Sequence, residues 1–325
     1  MAYQLPRPRR SCTTMKVVII GAGAAGSQHA AAIATAPGGE LTAVADVDPE
    51  SATRLAAQYN VPAIPVDEAV TGGRGETVAL CIPPGDRAEL ALSALHAGSA
   101  VVVEKPAALS IDELERIVAA SDQTGLPVAV MHQHRMVLGP VWERLREPLA
   151  DATATCRTSR RRTLAHYSDR KWRQNAALSG GGVLAHLGVH YLDLACQVLG
   201  GQPVAVHGTF AMDHRDLPDI DTRSVLTAEF SSGALLVASA TTHAVQTEDH
   251  LVVEASGLRL EVRSGTLSIE IDGKETVVPA PPNVGLRAAV YSEVKAALET
   301  SATKLPISDV RRCGAVVRIL EEVSR

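Results

Sequence analysis

The stretch MKVVIIGAGAAG, residues 15–26, constrains this chain more than any other part of it. A β-branched run at residues 17–20 leads straight into Gly21, Gly23 and Gly26, spaced as G-x-G-x-x-G, and an alanine-rich segment follows. The spacing alone is weak. With a strand before it, a helix after it and an acid about 20 residues on, it marks a βαβ unit that binds a dinucleotide. The acid is Asp46, which closes LTAVAD. Gly21 makes the tight turn, Gly23 lets backbone approach a pyrophosphate, and Gly26 lets helix and strand pack closely. Ala24 and Ala25 sit at the helix N-terminus, where free N–H groups and the helix dipole favour phosphate. Asp46 can accept hydrogen bonds from ribose hydroxyls and would repel a 2′-phosphate, so NAD is expected rather than NADP.

The alternation continues. DPESATRLAAQYN reads as a helix capped by Asp48, TVALCIP as a buried strand and GDRAELALSALHAG as a helix. AVVVEKP is a strand, SIDELERIVAASDQTG a helix opened by Ser110, and LPVAVMHQHR a strand. Strands separated by helices of this length predict a parallel sheet of right-handed βαβ units, with ligands beyond the carboxyl ends of the strands. Those ends carry Ile82 and Pro83, Glu104 and Lys105, and Gln133 and Arg135.

Beyond residue 135 the pattern changes. One strand candidate ends in arginines, and a glycine-started apolar helix follows. Strand candidates broken by SSG, SG and DG then argue for an antiparallel sheet, and two helices close the chain. The expected fold is α/β: a Rossmann domain at 15–135, then an α+β domain at 136–325 with a large, mainly antiparallel open sheet. The last helix is a candidate to pack back on the first domain. Residues 1–14 are basic and contain proline without an apolar core, and read as a disordered extension rather than a secretory signal.

Composition narrows the function classes. The net charge of −5 argues against nucleic acid as the main partner. No apolar run reads as a membrane span. The five cysteines are scattered without C-x-x-C, which favours reduced thiols and a cytoplasmic location.

GGGVLAHLGVHYLDL, from residue 180, places His186 and His190 four residues apart, so a regular helix would put both on one face. Asp193, one turn on, could orient His190. A zinc site on these histidines lacks the acid of H-E-x-x-H, and no metal is expected. Core histidines are the bland alternative. His29, His132 and His134 read as packing or surface residues. Residues 157–173 hold six arginines, which read either as a solvated strand face or as a site for an anionic group on a substrate.

Taken together, GAGAAG with Asp46, VVVEKP and GGGVLAHLGVHYLDL resemble the glucose–fructose oxidoreductase, inositol dehydrogenase and MocA family over residues 15–325. The resemblance puts E-K-P at the end of the fifth Rossmann strand. It implies that Lys105 and His190 are catalytic beside the nicotinamide and the reacting carbinol. His186 stands where many members have aspartate, and acts as a helper. Trp172 and Arg173 match a segment near the nicotinamide. Arg87, where the family often has histidine, is given no catalytic task. Lys105, Arg135, His186 and His190 are the expected substrate contacts. The cofactor set is Gly21, Gly23, Ala24, Ala25, Gly26, Asp46, Ile82, Pro83, Glu104, Lys105, Gln133, Trp172 and Arg173.

The reading is an NAD-dependent oxidoreductase for a ring hydroxyl or ketone of a sugar, nucleotide sugar or cyclitol. Assembly as a homodimer or homotetramer through the second sheet is expected. The rivals are a non-catalytic dinucleotide-binding regulatory module and an enzyme that uses bound NAD transiently without net redox.

Overall fold

The computed structural model describes residues 14–324 except 146 and 169, so most of the expected N-terminal extension lies outside the described residues. The first sheet contains β1 (Met15–Ile20), β2 (Gly39–Ala45), β3 (Thr77–Leu80), β4 (Ala100–Val103) and β5 (Val128–Val130). They are parallel, in the order β2-β1-β3-β4-β5. E-K-P therefore follows the fourth strand, not the fifth. Between the strands run α1 (Ala24–Thr35), α2 (Pro49–Gln58), α3 (Val66–Thr71), α4 (Arg87–His96) and α5 (Ile111–Thr124). Asp48 and Ser110 cap α2 and α5 by accepting backbone N–H bonds. The strand order reverses between β1 and β3, which opens a crevice at their carboxyl ends.

The second sheet contains β6 (Thr153–Arg161), β7 (Pro203–Ala211), β8 (Arg223–Phe230), β9 (Leu235–Thr241), β10 (His243–Ala255), β11 (Leu258–Arg263), β12 (Thr266–Ile271) and β13 (Lys274–Val278). Its order is β13-β12-β11-β10-β6-β9-β8-β7, antiparallel except at β6–β9. The helices of this half are α6 (Leu164–Ser168), α7 (Ala176–Ser179), α8 (Val189–Leu199), α9 (Asn283–Thr300) and α10 (Gly314–Val323). α8 covers one sheet face over β6 and β10. The other face exposes Val225, Leu235 and Val237.

α9 returns to the first domain. Its Val290, Tyr291 and Val294 are fully buried in the same cluster as Val17, Ile19 and Ile33. The stretch Ala176–Leu199, contrary to the sequence reading, is long and apolar enough to cross a membrane, with mean hydropathy 1.2 in its best window. That window is 78% buried within the protein, as expected of a core helix. Cys81, Cys156, Cys196 and Cys313 are free thiols.

After β5 the chain winds into a 3-10 segment, Gln133–Leu145, and this buries two residues expected at the crevice. Gln133 packs inside, its amide nitrogen 3.5 Å from Asn283 Oδ1. Arg135 is completely buried and donates to both Asp193 oxygens, at 2.6 and 2.7 Å. Its remaining N–H groups reach the carbonyls of Ile307 and Asp309 and the Cys313 sulfur. Arg135 therefore joins α8 to the C-terminal segment and does not bind substrate, and Gln133 does not reach the cofactor cleft. Removing one partner of such a pair strands the other charge. Arg135→Leu is expected to lower unfolding free energy by about 3–5 kcal/mol, read by urea denaturation. Unchanged stability would show that the pair does not hold the two halves.

Candidate active site

Between the two halves lies a cleft of about 420 Å³. Its floor is the glycine turn. Gly21 has φ +102°, and a Cβ there would meet the Cys81 carbonyl oxygen at 2.4 Å. A Cβ on Gly26 would meet the Gly21 oxygen at 2.0 Å, so the turn closes only with glycine at both positions. Gly23, Ala24, Ala25, Ile82 and Pro83 line the cleft. Asp46 is half-buried and accepts from the Ala22 and Asp48 N–H groups at 2.6 and 2.9 Å, which ties the turn to the end of β2.

Lys105 enters from the end of β4, positioned by its neighbour. The buried Glu104 carboxylate meets His29 Nε2 at 3.0 Å, Arg287 at 3.0 Å and the Lys105 N–H at 3.1 Å. Burial alone would raise its pKa. The His29 hydrogen bond and the Arg287 charge outweigh that and hold it well below the usual carboxylate range. His29 Nδ1 lies 2.5 Å from the Tyr291 hydroxyl. Arg87 is buried and donates to the carbonyls of Ile82, Glu104 and Pro106, pinning the ends of β3 and β4 together. Burial pulls the Lys105 ammonium down to about 8, helped by Arg87, Arg287 and Arg173 and opposed by Glu104. Lys105 Nζ donates to the His186 carbonyl oxygen at 2.5 Å, not to its ring.

The triple glycine is explained by Asp221. Its carboxylate accepts from the N–H groups of Gly182 and Leu184, and its carbonyl accepts from Val183. A Cβ on Gly182 would lie 1.9 Å from the Asp221 oxygen. From this start residues Leu184–Gly188 form a π turn before α8 begins. That turn separates the two histidines, although both line the cleft. His186 faces Trp172, with ring centroids 5.5 Å apart. The imidazoles packed on His190 are His134, at 4.9 Å, and His132, at 6.2 Å, in place of the expected His186. His132 and His134 are packing residues, as one of the two expectations had it, and what they pack on is His190. Asp193 hydrogen-bonds Arg135 and Gln197 rather than His190, and the imidazole beside it is His132, at 3.6 Å.

Burial lowers all four imidazoles: His186 and His132 to about 3, His134 to about 4, and His190 well below its ordinary value. Lys105 is the next contribution at His186 and His190. The rings are therefore neutral near pH 7, with a lone pair free on one nitrogen of each.

The arginine run divides. On the strand, Arg160 pairs with Asp249 and Arg157 lies 3.7 Å from Glu248. Beyond it, Arg170 and Arg173 line the cleft beside Trp172, and the Arg173 guanidinium sits 5.4 Å from that ring. Arg287 also lines the cleft, and nothing local in its sequence announces it, since it lies on a helix in the last eighth of the chain. Among the described residues, no three His, Cys, Asp or Glu side chains gather as metal ligands.

Comparison with known proteins agrees with the fold. A family model described as an oxidoreductase family with an NAD-binding Rossmann fold matches residues 15–132, and the GFO/IDH/MocA C-terminal domain matches 152–273. The chain is 31% identical over 192 residues to the D-glucoside 3-dehydrogenase of Escherichia coli, covering 57% of this chain and 54% of that protein. It is 25% identical over 207 residues to the inositol 2-dehydrogenase of Rhizobium meliloti, covering 61% and 59%. These alignments span little more than half the length of the relatives. Among solved structures, an oxidoreductase domain protein from Kribbella flavida superposes with TM-score 0.84 at 19% identity, covering 96% of this chain and 97% of that one. A levoglucosan dehydrogenase with NADH and levoglucosan gives 0.80 at 17%, covering 95% of each. The two family models together span both halves of the fold, and the chain belongs to the Gfo/Idh/MocA oxidoreductase family.

Proposed function

We propose that this protein is an NAD-dependent dehydrogenase acting on a ring carbinol of a sugar or cyclitol. The observation that carries the reading is that Lys105, His190 and Trp172 line the same cleft as the glycine turn. The turn fits a pyrophosphate, because Gly23 stands at the N-terminus of α1 and a Cβ there would come no nearer to a neighbour than 3.8 Å, to the Arg170 guanidinium. When bound, the nicotinamide supplies the hydride acceptor. The chain's residues handle the proton and the charge. His190 takes the hydroxyl proton as the carbinol hydride leaves. The Lys105 ammonium, held by the His186 carbonyl, stabilises negative charge developing on that oxygen. His186, wedged between Trp172 and the Lys105 contact, shapes the substrate wall. The relatives named above act on a glucoside and on inositol, which supports a polyol substrate. Arg170 and Arg173 at the rim make room for an anionic substituent.

Three outcomes follow from this reading. NADH should bind at least about tenfold more tightly than NADPH, since a 2′-phosphate would meet the Asp46 charge. Calorimetry decides this, and tighter NADPH binding would remove Asp46 from the ribose site. In a panel of D-glucose, a methyl D-glucoside and myo-inositol, Lys105→Ala should lose turnover by orders of magnitude while still binding NADH. His190→Asn should lose about 10²–10⁴-fold and His186→Asn less. The reverse order would exchange the histidines' roles.

The Lys105 amine can be read directly by pH-dependent acylation. Titration is expected near 8 rather than at the ordinary 10.5. Because Glu104 raises that value, Glu104→Gln should move it lower. Titration near 10.5 in the wild type would mean that Lys105 is not buried against the cationic wall.

The apolar side chains on the outer face of the second sheet support a homo-oligomer formed through it. Light scattering should give a multiple of 34.1 kDa, and Val237→Lys should reduce it. A wild-type monomer would contradict this assembly.

A further inference from the structure

His132 sits just beyond β5, is 2% exposed, and has no hydrogen-bond partner on either ring nitrogen. Its Nδ1 lies 3.6 Å from Asp193 Oδ2. Its ring stands edge-on to His190, at 87°. His190 has a matching deficit: Nδ1 is enclosed without a partner. Buried imidazole nitrogens without partners are costly, and three meet here behind a cleft-lining histidine.

We propose that His132 is a positioning residue for His190, the third link in a buried chain Arg135–Asp193–His132–His190 that fixes the tautomer of the base. The proposal rests on the reading of His190 as that base. Its logic is donor polarity. Asp193 is ionised beside Arg135 and can only accept. With Nδ1 3.6 Å from that carboxylate, His132 is placed to carry its proton on Nδ1. A neutral ring then has its lone pair on Nε2, which can accept from His190 Nδ1–H through one bridging water or a small ring rotation. His190 is left with its lone pair on Nε2, available to a substrate hydroxyl. On proton uptake, the imidazolium faces cationic Lys105 and Arg287 and the neutral rings of His132 and His134. Asp193, reached through His132, is the compensating anion. Lys105, Glu104 and Arg135 are the other charges acting on His132. His134 is nearer to His190, but only one of its nitrogens is enclosed without a partner, against both in His132.

The test compares His132→Phe, His132→Gln, His134→Phe and His190→Asn on the fastest member of the panel above, with ¹⁵N-histidine spectra of the wild-type NADH complex. His132→Phe should lower kcat about 10- to 100-fold, as expected when the group that orients a working imidazole is removed, with the KM for NAD unchanged. His132→Gln, which can still donate to Asp193 and accept from His190, should recover most of the loss. His134→Phe should cost less than His132→Phe. The spectra should show His132 and His190 both protonated on Nδ1, a result that holds even if a variant fails to fold. A wild-type kcat in His132→Phe while His190→Asn is inactive, or an Nε2–H tautomer of His190, would overturn the chain alone. Retained activity in His190→Asn would overturn the base and the chain together.

Discussion

The buried carboxylate of Glu104 is the junction on which the arrangement depends. A charge removed from water must be met by partners in fixed positions, or the fold loses more than it gains. Here the partners come from three parts of the chain: His29 on α1, Arg287 on α9 and the N–H of Lys105. The helix that begins at the glycine turn, the strand that delivers the lysine and the helix that returns from the far end are thus mutually located. Arg87 adds a second lock by gathering three carbonyls around the same strand ends. Lys105 has little freedom left, and its ammonium is held at the wall of the cleft.

The second half of the site follows from an analogous buried charge. Asp193 satisfies Arg135, and Arg135 holds the C-terminal segment against α8. The π turn ahead of α8 adds the rotation that turns His186 toward Trp172 and leaves His190 facing the two histidines beyond β5. A π turn inside a helix is commonly found at functional sites. Burial keeps the imidazoles neutral while the adjacent lysine and arginines remain charged, so one cleft holds neutral rings beside fixed cations.

Local chemistry was legible in the sequence; long-range pairing was not. The glycine turn, the strand ends, the caps at Asp48 and Ser110, and the hairpin breaks all rest on residues close together in the chain. Gln133 and Arg135 sit at a strand end, where the crevice was expected. The 3-10 segment after β5 turns them inward, and the acid that Arg135 needs lies 58 residues away. Asp221 and Arg287 become visible only in three dimensions, because each acts on a segment remote from itself. The spacing of His186 and His190 suggested a single helical face, and the π turn breaks the periodicity on which that inference relied.

The measurement that bears most directly on the account is the fate of one hydrogen. The protein would be incubated with NAD and, in turn, ring-deuterated glucose, a ring-deuterated methyl glucoside and deuterated myo-inositol, and the NADH analysed by mass spectrometry. The account predicts deuterium on the nicotinamide, drawn from a single ring carbon, and its loss in Lys105→Ala and His190→Asn. NADH formed without deuterium, or no transfer from any of the three, would contradict it.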